Sequence, residues 1–247
     1  LGGVASHYRG LKDHWNEDVV YNFTGGRRGV PGPLILVFDY MFFFLRLLFF
    51  KYDVVLLNPS LTPTAMRRDA LFLWISKLLQ VKTIVFFHGW DSNVAADIDL
   101  NPSLFFEKYK SADSFIVLSS QFRIKLREWG IQNPIYLSTT KVENDLVRDF
   151  NLVEKVYNKS ILFLARIEKE KGVFIAIDAF SIVQKTFKDV TLSIVGGGSA
   201  FDEAVAYVKK HEISNVSFWG NVRGERLRSA FIESSIYILP TSHGEGM

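Results

Sequence analysis

The feature that most restricts the fold of this chain is an alternation of short apolar runs and helical patterns in its second half. The first run, Ile161 to Leu164, predicts a buried strand. A basic loop follows, and a helical pattern opens at Gly172, with four apolar residues spaced i, i+3, i+4 and i+7 from Val173. The unit repeats, with predicted strands at 190–195, 216–219 and 236–239 and predicted helices at 201–211 and 225–234. This alternation predicts a parallel sheet covered by helices on both faces.

The first half alternates in the same way, with less regular spacing. Its predicted strands are 53–57, 82–87, 114–118 and 134–137, and its predicted helices include 65–79 and 121–129. Residues 139–157 are polar and charged without strand periodicity, which is typical of a connection between domains. We therefore predict an α/β fold with two Rossmann-like domains, residues 1–151 and 152–247, the second incomplete, with the boundary near Asn151.

Composition excludes several classes of protein. The net charge of +3 over 247 residues is small, and the pairs Arg27-Arg28 and Arg67-Arg68 are isolated, so nucleic acid is not a predicted partner. The chain has no cysteine, which excludes disulfide frameworks and thiolate metal sites and permits a reducing compartment. The first residues do not resemble a signal peptide. We predict a cytoplasmic protein.

The most apolar stretch, Leu34 to Phe50, contains only two charges, Asp39 and Arg46. It is short for a transmembrane helix and is interrupted by those charges. We predict a buried helix that leads into the next strand, favoured about two to one over a helix on a membrane surface. The many phenylalanines keep the second interpretation open, with peripheral contact at the inner face of a membrane.

Two cations and a glycine-rich loop are candidates for binding phosphate. Arg166 and Lys171 lie between a predicted strand and helix, where they and the free N–H groups of the helix could hold an anion. Gly196, Gly197 and Gly198 follow the next predicted strand and are the candidate nucleotide loop.

Candidates in the first half are weaker. His88 follows a predicted strand, where ligands gather in open α/β sheets, although a structural histidine explains it about equally well. Gly2 and Gly3 form either an ordinary turn, which composition favours, or a loop that a ligand approaches closely. Asp97 and Asp99 lie in a polar stretch that we interpret as a loop with capping or solvated carboxylates, so no metal is predicted.

Four motifs of the second half recur in a known order: the Ala-Arg-Ile…Glu-Lys-Gly block, the Ile-Val-Gly-Gly-Gly loop, the Val-Ser-Phe-Trp-Gly strand and the Leu-Pro-Thr-Ser…Glu-Gly terminus. In these motifs the chain resembles the retaining family-4 glycosyltransferases, whose GT-B architecture has two Rossmann-like domains facing across a cleft. The first half resembles them more loosely, through Gly2-Gly3-Val4, Phe87-His88-Gly89-Trp90 and Val117-Leu118-Ser119-Ser120.

The resemblance implies transfer of a sugar from a nucleotide-diphosphate sugar, most often a UDP-sugar, to a glycan or lipid-linked acceptor in polysaccharide biosynthesis. It implies retained stereochemistry and neither metal nor cofactor. Arg166 and Lys171 would grip the donor diphosphate, with Gly2 and Gly3 facing its phosphates, and His88 would lie beside the donor sugar.

Glu245 resembles the first glutamate of the family's Glu-x7-Glu motif, which contacts hydroxyls of the donor sugar. The second glutamate would lie beyond Met247, and the chain begins without a methionine. We therefore expect a fragment truncated at both ends.

Three other functions are compatible with parts of this pattern. A nicotinamide-dependent oxidoreductase is excluded, because its fingerprint needs a glycine where the chain has Phe201 and an acid where the next strand ends in Phe218-Trp219-Gly220. A nucleotide-sugar 2-epimerase of the same architecture stays open, as does a non-catalytic protein that binds a sugar nucleotide.

Overall fold

The computed structural model describes residues 3–24, 32–140 and 157–241. These residues fall into two compact units, which divide between residues 140 and 157. The predicted boundary at Asn151 lies outside the described residues and stays a prediction.

The first unit is built on a parallel sheet. Its strands are β1 (Val54–Leu57), β2 (Ser60–Leu61), β3 (Lys82–Phe87), β4 (Gly89–Trp90), β5 (Ser114–Val117) and β6 (Ile135–Leu137). Four of them form a sheet in the order β1-β3-β5-β6, and β2 pairs with β4 beside it. Every one of these pairs is parallel, as the alternation of strands and helices predicts.

The helices of this unit are α1 (Gly3–Leu11), α2 (Gly32–Phe49), α3 (Pro63–Leu78), α4 (Ser92–Leu100), α5 (Pro102–Tyr109) and α6 (Ser120–Glu128). Large aromatic residues fill the core between helices and sheet, with Phe87, Phe105, Tyr109 and Phe115 almost completely buried. The strands and the two helices predicted from the sequence are confirmed, within two residues at each end.

The interpretation of Asp97 and Asp99 as part of a loop is wrong, since both lie in α4. The helix forms because Asp91 caps its start, with its carboxylate accepting hydrogen bonds from the N–H groups of Asn93 (2.9 Å) and Val94 (3.2 Å).

Helix α2 corrects a second expectation. Only Ile35, Asp39, Phe43 and Leu47 are buried, a stripe spaced every four residues. Leu36, Tyr40 and Phe44 are half-buried, and eight other large apolar side chains on the helix are exposed: Leu34, Val37, Phe38, Met41, Phe42, Leu45, Leu48 and Phe49. The prediction of a buried helix is therefore wrong for most of its surface, because α2 packs mainly along one neighbouring helix, α3. Among the described residues, α2 alone is long and apolar enough to cross a membrane by length and composition.

The second unit repeats the plan of the first. Its strands are β7 (Ser160–Leu164), β8 (Thr191–Val195), β9 (Val216–Gly220) and β10 (Ile236–Tyr237), and its helices are α7 (Val173–Thr186), α8 (Phe201–Lys210) and α9 (Glu225–Glu233). The sheet has the order β10-β7-β8-β9 with all pairs parallel. The predicted apolar face of α7, which comprises Val173, Ala176, Ile177 and Phe180, is buried against the sheet core.

Candidate functional site

Four loops meet at the carboxyl edge of the second sheet. Because all its strands are parallel, the segments after β7, β8, β9 and β10 leave the sheet on the same side, where open α/β sheets bind ligands. Backbone hydrogen bonds join these loops: the N–H of Ile167 donates to the carbonyl of Gly197 (3.1 Å), and the N–H of Gly196 donates to that of Gly220 (2.8 Å). The Thr241 hydroxyl, after β10, donates to the carbonyl of Glu170 (3.2 Å).

The glycine loop after β8 lies against the backbone that follows β7. A Cβ atom on Gly196 would lie 1.9 Å from the Ala165 carbonyl oxygen, and one on Gly198 would lie 2.4 Å from the Ile167 carbonyl oxygen. These distances are well inside van der Waals contact, so the packing of the two loops itself requires glycine. Packing thus explains why glycine is needed here, and the assignment of Gly196, Gly197 and Gly198 as a nucleotide loop stays a prediction.

The two predicted phosphate ligands lie on the loop between β7 and α7. The Arg166 side chain is 70% exposed, and its Nη1 lies 3.2 Å from Oε1 of Glu168. An exposed pair of this kind holds its partners weakly and can be exchanged for a ligand. Lys171 ends a 3-10 turn, Lys169–Lys171, and is followed by Gly172 in the left-handed conformation (φ 78°).

The N-terminus of α7 completes this edge. The helix begins directly after Gly172, and no side chain caps it. The first N–H groups of an α-helix have no partner within the helix, and together they carry the positive end of its dipole. Arg166, Lys171 and this helix end therefore place positive charge at the sheet edge from which the glycine loop also leaves.

In the first unit, His88 lies at the carboxyl end of β3. Its Nε2 is 3.1 Å from the Asn58 side-chain oxygen, which also accepts a hydrogen bond from the Tyr8 hydroxyl at 2.5 Å. The His7 ring packs edge-on against the His88 ring, with the two ring centroids 4.9 Å apart. The centroid of the Phe86 ring lies 3.7 Å from that of His88. Burial and, to a smaller extent, the neighbouring His7 together lower the pKa of His88 to about 4. The imidazole is therefore neutral at physiological pH.

Residues 148–247 match the family model of the glycosyl transferases group 1. The match includes every described residue of the second unit, and with them Arg166, Lys171 and the glycine loop. No match is found among curated protein sequences.

Similar solved structures are glycosyltransferases. The pneumococcal O-GlcNAc transferase GtfA, in complex with UDP and GlcNAc, has a TM-score of 0.62 and 16% identity, over 85% of this chain and 41% of its own. A Rickettsia africae glycosyltransferase has a TM-score of 0.62 and 15% identity, over 96% and 63%. Anabaena Alr3699/HepE, in complex with UDP and glucose, has a TM-score of 0.58 and 15% identity, over 95% and 64%.

The chain has the α/β fold of GT-B glycosyltransferases, as the sequence predicts. It spans roughly two fifths to two thirds of the length of the structures it matches. At these identities the likeness shows the fold.

The structure places the predicted site residues in three groups. Arg166, Lys171 and the loop Gly196, Gly197 and Gly198 meet at one edge of the second sheet, and His88 lies in the first unit. Gly3 is the first residue of α1, so the helix starts earlier than the predicted turn allows. Gly2 and Glu245 lie outside the described residues.

Sequence analysis missed Asn58 and Tyr8 as partners of His88. Asn58 directly follows β1, which is the neighbour of β3 in the sheet. Parallel neighbours end at the same edge, so the residue after each strand could have been paired from the predicted strands alone. The contact with Tyr8 depends on tertiary packing and left no signal in the sequence.

Asp99 has a structural role in the first unit. Its carboxylate accepts hydrogen bonds from Lys125 Nζ (3.0 Å) and from the Trp129 indole N–H (2.8 Å), and these lower its pKa. An open pocket of about 460 Å³ lies beside this cluster, between α4 and α6, and none of the predicted site residues lines it.

Proposed function

We propose that this chain is part of a retaining family-4 glycosyltransferase that transfers a sugar from a UDP-sugar to a glycan or lipid-linked acceptor in polysaccharide biosynthesis. One observation carries the proposal: two cations, a helix N-terminus and a glycine loop converge at one sheet edge, within the residues that match the group 1 family. The similar structures of GtfA and Alr3699/HepE were solved with UDP, which supports a uridine donor.

Arg166 and Lys171 are assigned to the donor diphosphate. When the bond between sugar and phosphate breaks, negative charge builds on the departing diphosphate and positive charge on the sugar ring. Fixed cations and backbone N–H groups stabilise the developing negative charge without waiting for solvent to reorganise. Each such contact contributes about 2–4 kcal/mol in the transition state, judged from comparable preorganised donors. In this proposal the reaction uses neither a metal nor a cofactor.

His88 is assigned to the donor sugar and the reacting bond, and Glu245 to hydroxyls of the donor sugar. Because its pKa lies near 4, His88 is uncharged at neutral pH and can accept a hydrogen bond from a hydroxyl. Gly2 and Gly3 are assigned to face the donor phosphates, with Gly3 as the first residue of α1. Because the proposal includes no covalent nucleophile, retention of stereochemistry requires the acceptor to attack the face from which the diphosphate departs.

Calorimetric titration with UDP, GDP and NAD tests the donor site. We expect UDP to bind, and Lys171→Ala or Arg166→Ala to weaken its binding strongly. Lys210→Ala is a matched control, since it removes an equal charge at the far end of α8. Equal UDP affinity in all four proteins would contradict the diphosphate assignment. If no nucleotide binds, the titration is repeated with the complete natural reading frame, and a second failure there would overturn the proposal.

Turnover separates the transferase from its alternatives. With the complete reading frame, we expect sugar transfer only when an acceptor is supplied, and a loss of about 100-fold or more in kcat for Lys171→Ala. His88→Ala should lower kcat more than donor affinity. Epimerised sugar nucleotide formed without an acceptor would identify the 2-epimerase, and binding without any turnover would identify the non-catalytic protein.

We also propose that the protein is cytoplasmic and contacts the inner membrane face through α2 and α3. Helix α3, which packs along α2, also exposes large apolar side chains, namely Leu71, Trp74 and Leu78. The carboxylates of these helices, Asp39 and Asp69, are both buried. Of the cations, Arg68 pairs with Asp69 and Lys77 pairs with Asp113, while Arg67 is exposed and Arg46 lies over the Phe42 ring. Apolar and aromatic side chains flanked by cations suit a surface of anionic lipid.

Vesicle flotation tests this contact. We expect flotation with phosphatidylglycerol vesicles, less with phosphatidylcholine, and loss of flotation in the double variant Phe38→Asp/Phe42→Asp. Phe187→Asp makes the same change at an exposed phenylalanine of the second unit and should float normally. Absence of flotation with either lipid would contradict the proposal. A dimer that the double variant abolishes, without flotation, would assign the face to a second copy of the chain.

A further inference from the structure

We propose that Asn58 is the positioning residue for His88, and that it holds the imidazole with its proton on Nε2 and its lone pair on Nδ1. The inference follows from a chain of hydrogen bonds that permits one arrangement of donors and acceptors. The tautomer rests on this geometry and on the neutral state of the buried ring, and its consequence for sugar transfer rests on the proposed function.

The first step fixes the Asn58 amide. Its Nδ2 lies 3.2 Å from the carbonyl oxygen of Leu56, two residues earlier. A backbone carbonyl accepts hydrogen bonds and never donates them, so the group that faces it must be the NH₂. The opposite orientation would bring two oxygens together. The Asn58 side-chain oxygen must therefore point away, towards Tyr8 and His88.

The second step fixes the proton of His88. The Asn58 oxygen is an acceptor with two lone pairs, and two groups approach it: the Tyr8 hydroxyl at 2.5 Å and His88 Nε2 at 3.1 Å. Burial raises the pKa of the Tyr8 phenol, which therefore keeps its proton and donates. Nε2 has only an acceptor in front of it, so it must carry a proton. In a neutral imidazole, Nδ1 is then the acceptor.

The backbone holds the two partners in register. The N–H of His88 donates to the carbonyl of Pro59 (3.2 Å), and Gly89 pairs with Ser60 in the small β2-β4 sheet. A Cβ on Gly89 would lie 2.7 Å from the Ser60 hydroxyl, so glycine is needed for this close approach. The segments after β1 and β3 are thus tied together on both sides of the side-chain bond.

This arrangement defines what His88 can do. Nδ1 can accept a hydrogen bond from a hydroxyl group, so the ligand chemistry it fits is a sugar or acceptor hydroxyl rather than an anion. A ring free to exchange tautomers would offer this acceptor for only part of the time. Asn58 is therefore expected to act on turnover through His88 without touching the substrate.

Nitrogen NMR of the histidine-labelled chain tests the proposal without any substrate. The protein has five histidines, and the signals of His88 are identified by their loss in His88→Gln. We expect long-range correlation spectra to show the proton on Nε2, and a slowly exchanging Nε2–H signal. Tyr8→Phe, which removes the other donor to Asn58, should preserve both signatures.

Two variants of Asn58 make the test decisive. Asn58→Leu should abolish the slow Nε2–H signal and populate the second tautomer. Asn58→Asp keeps an acceptor, so it should preserve the tautomer while its charge raises the His88 pKa by about 1 to 3. A proton on Nδ1 in the natural protein, or an unchanged His88 pKa in a folded Asn58→Asp variant, would overturn the proposal. These NMR readouts do not depend on donor binding. The Asn58 proposal can therefore be contradicted while the proposed function holds, and the proposed function can be contradicted while the Asn58 proposal holds.

Discussion

At the scale of single residues, His88 makes the stability of the first unit depend on pH. Its pKa falls from an ordinary value near 6.5 to about 4 in the folded chain. Between those values the unfolded chain binds a proton that the folded chain does not, so stability falls as the pH drops from about 6.5 to about 4. The loss is at most about 3 kcal/mol for one such group, and less where water reaches the ring. Burial lowers the pKa of His7 too, which adds a loss of the same sign.

Urea unfolding at a series of pH values checks this prediction. The natural chain should lose stability between pH 6.5 and pH 4, and His88→Gln should lose less over that interval. His14→Gln, at an exposed histidine of the same unit, is the control and should follow the natural chain. Identical pH dependence in His88→Gln and the natural chain would contradict the buried neutral imidazole.

A second residue-scale prediction separates backbone strain from steric clash. Gly172 has a φ of 78°, and its Cβ would lie 2.0 Å from the Pro240 carbonyl oxygen; Gly220 has a φ of 67° and open space around it. Gly220→Ala should therefore cost about 1 kcal/mol of unfolding free energy from the left-handed backbone alone. Gly172→Ala should cost clearly more, because a clash is added. Equal losses in thermal unfolding would show that the Pro240 contact is not rigid.

At the scale of elements, regular strands and helices could be predicted because the spacing of apolar residues within a short stretch of sequence indicates which of the two it forms. The apolar runs that became β3 and β7 and the face of α7 were found for this reason. Helix α4 was missed because its start depends on one side chain, Asp91, and its apolar pattern is short. The exposure of α2 could not be predicted, since an all-round apolar helix is assumed buried until its neighbours are known.

Two neighbouring phenylalanines of α2 test its orientation. Phe43 is buried, with its ring 4.9 Å from that of Phe72 in α3, while Phe42 is 58% exposed. Phe43→Ala should lower the free energy of unfolding by about 3 kcal/mol or more through the cavity it leaves. Phe42→Ala should change it by less than about 0.5 kcal/mol. The two variants remove the same atoms. A larger loss of unfolding free energy in Phe42→Ala than in Phe43→Ala, measured with urea, would show that the helix is rotated from this arrangement.

At the scale of the whole molecule, the described residues form one large hydrophobic core in each unit, and a smaller cluster of Leu162, Val195 and Ala230 belongs to the second unit. The phosphate-binding candidates could be predicted because parallel strands bring their ends to one edge whatever the packing. The partners of His88 could not be fully predicted, since Tyr8 reaches Asn58 from 50 residues away along the chain. Placement at a sheet edge is thus readable from local pattern, whereas the contacts that tune a side chain depend on the completed core.

Because the cores are separate, a cavity in one should destabilise that unit and leave the other unaffected. Phe163 is completely buried in the second core and Phe115 in the first. Fluorine NMR of the chain labelled with fluorotryptophan distinguishes the units, since Trp219 belongs to the second while Trp90 and Trp129 belong to the first. Phe163→Ala should lower the free energy of unfolding of the second unit by about 3–5 kcal/mol, so the Trp219 signal should change at a lower urea concentration. The signals of Trp90 and Trp129 should keep their urea midpoints.

Phe115→Ala should give the reverse pattern. Fluorine signals from both units that shift together in either variant would mean that the two cores unfold as one cooperative structure. Signals that shift separately would allow the donor edge and the His88 cluster to be varied independently, because a loss of stability in one unit would then leave the site residues of the other in place.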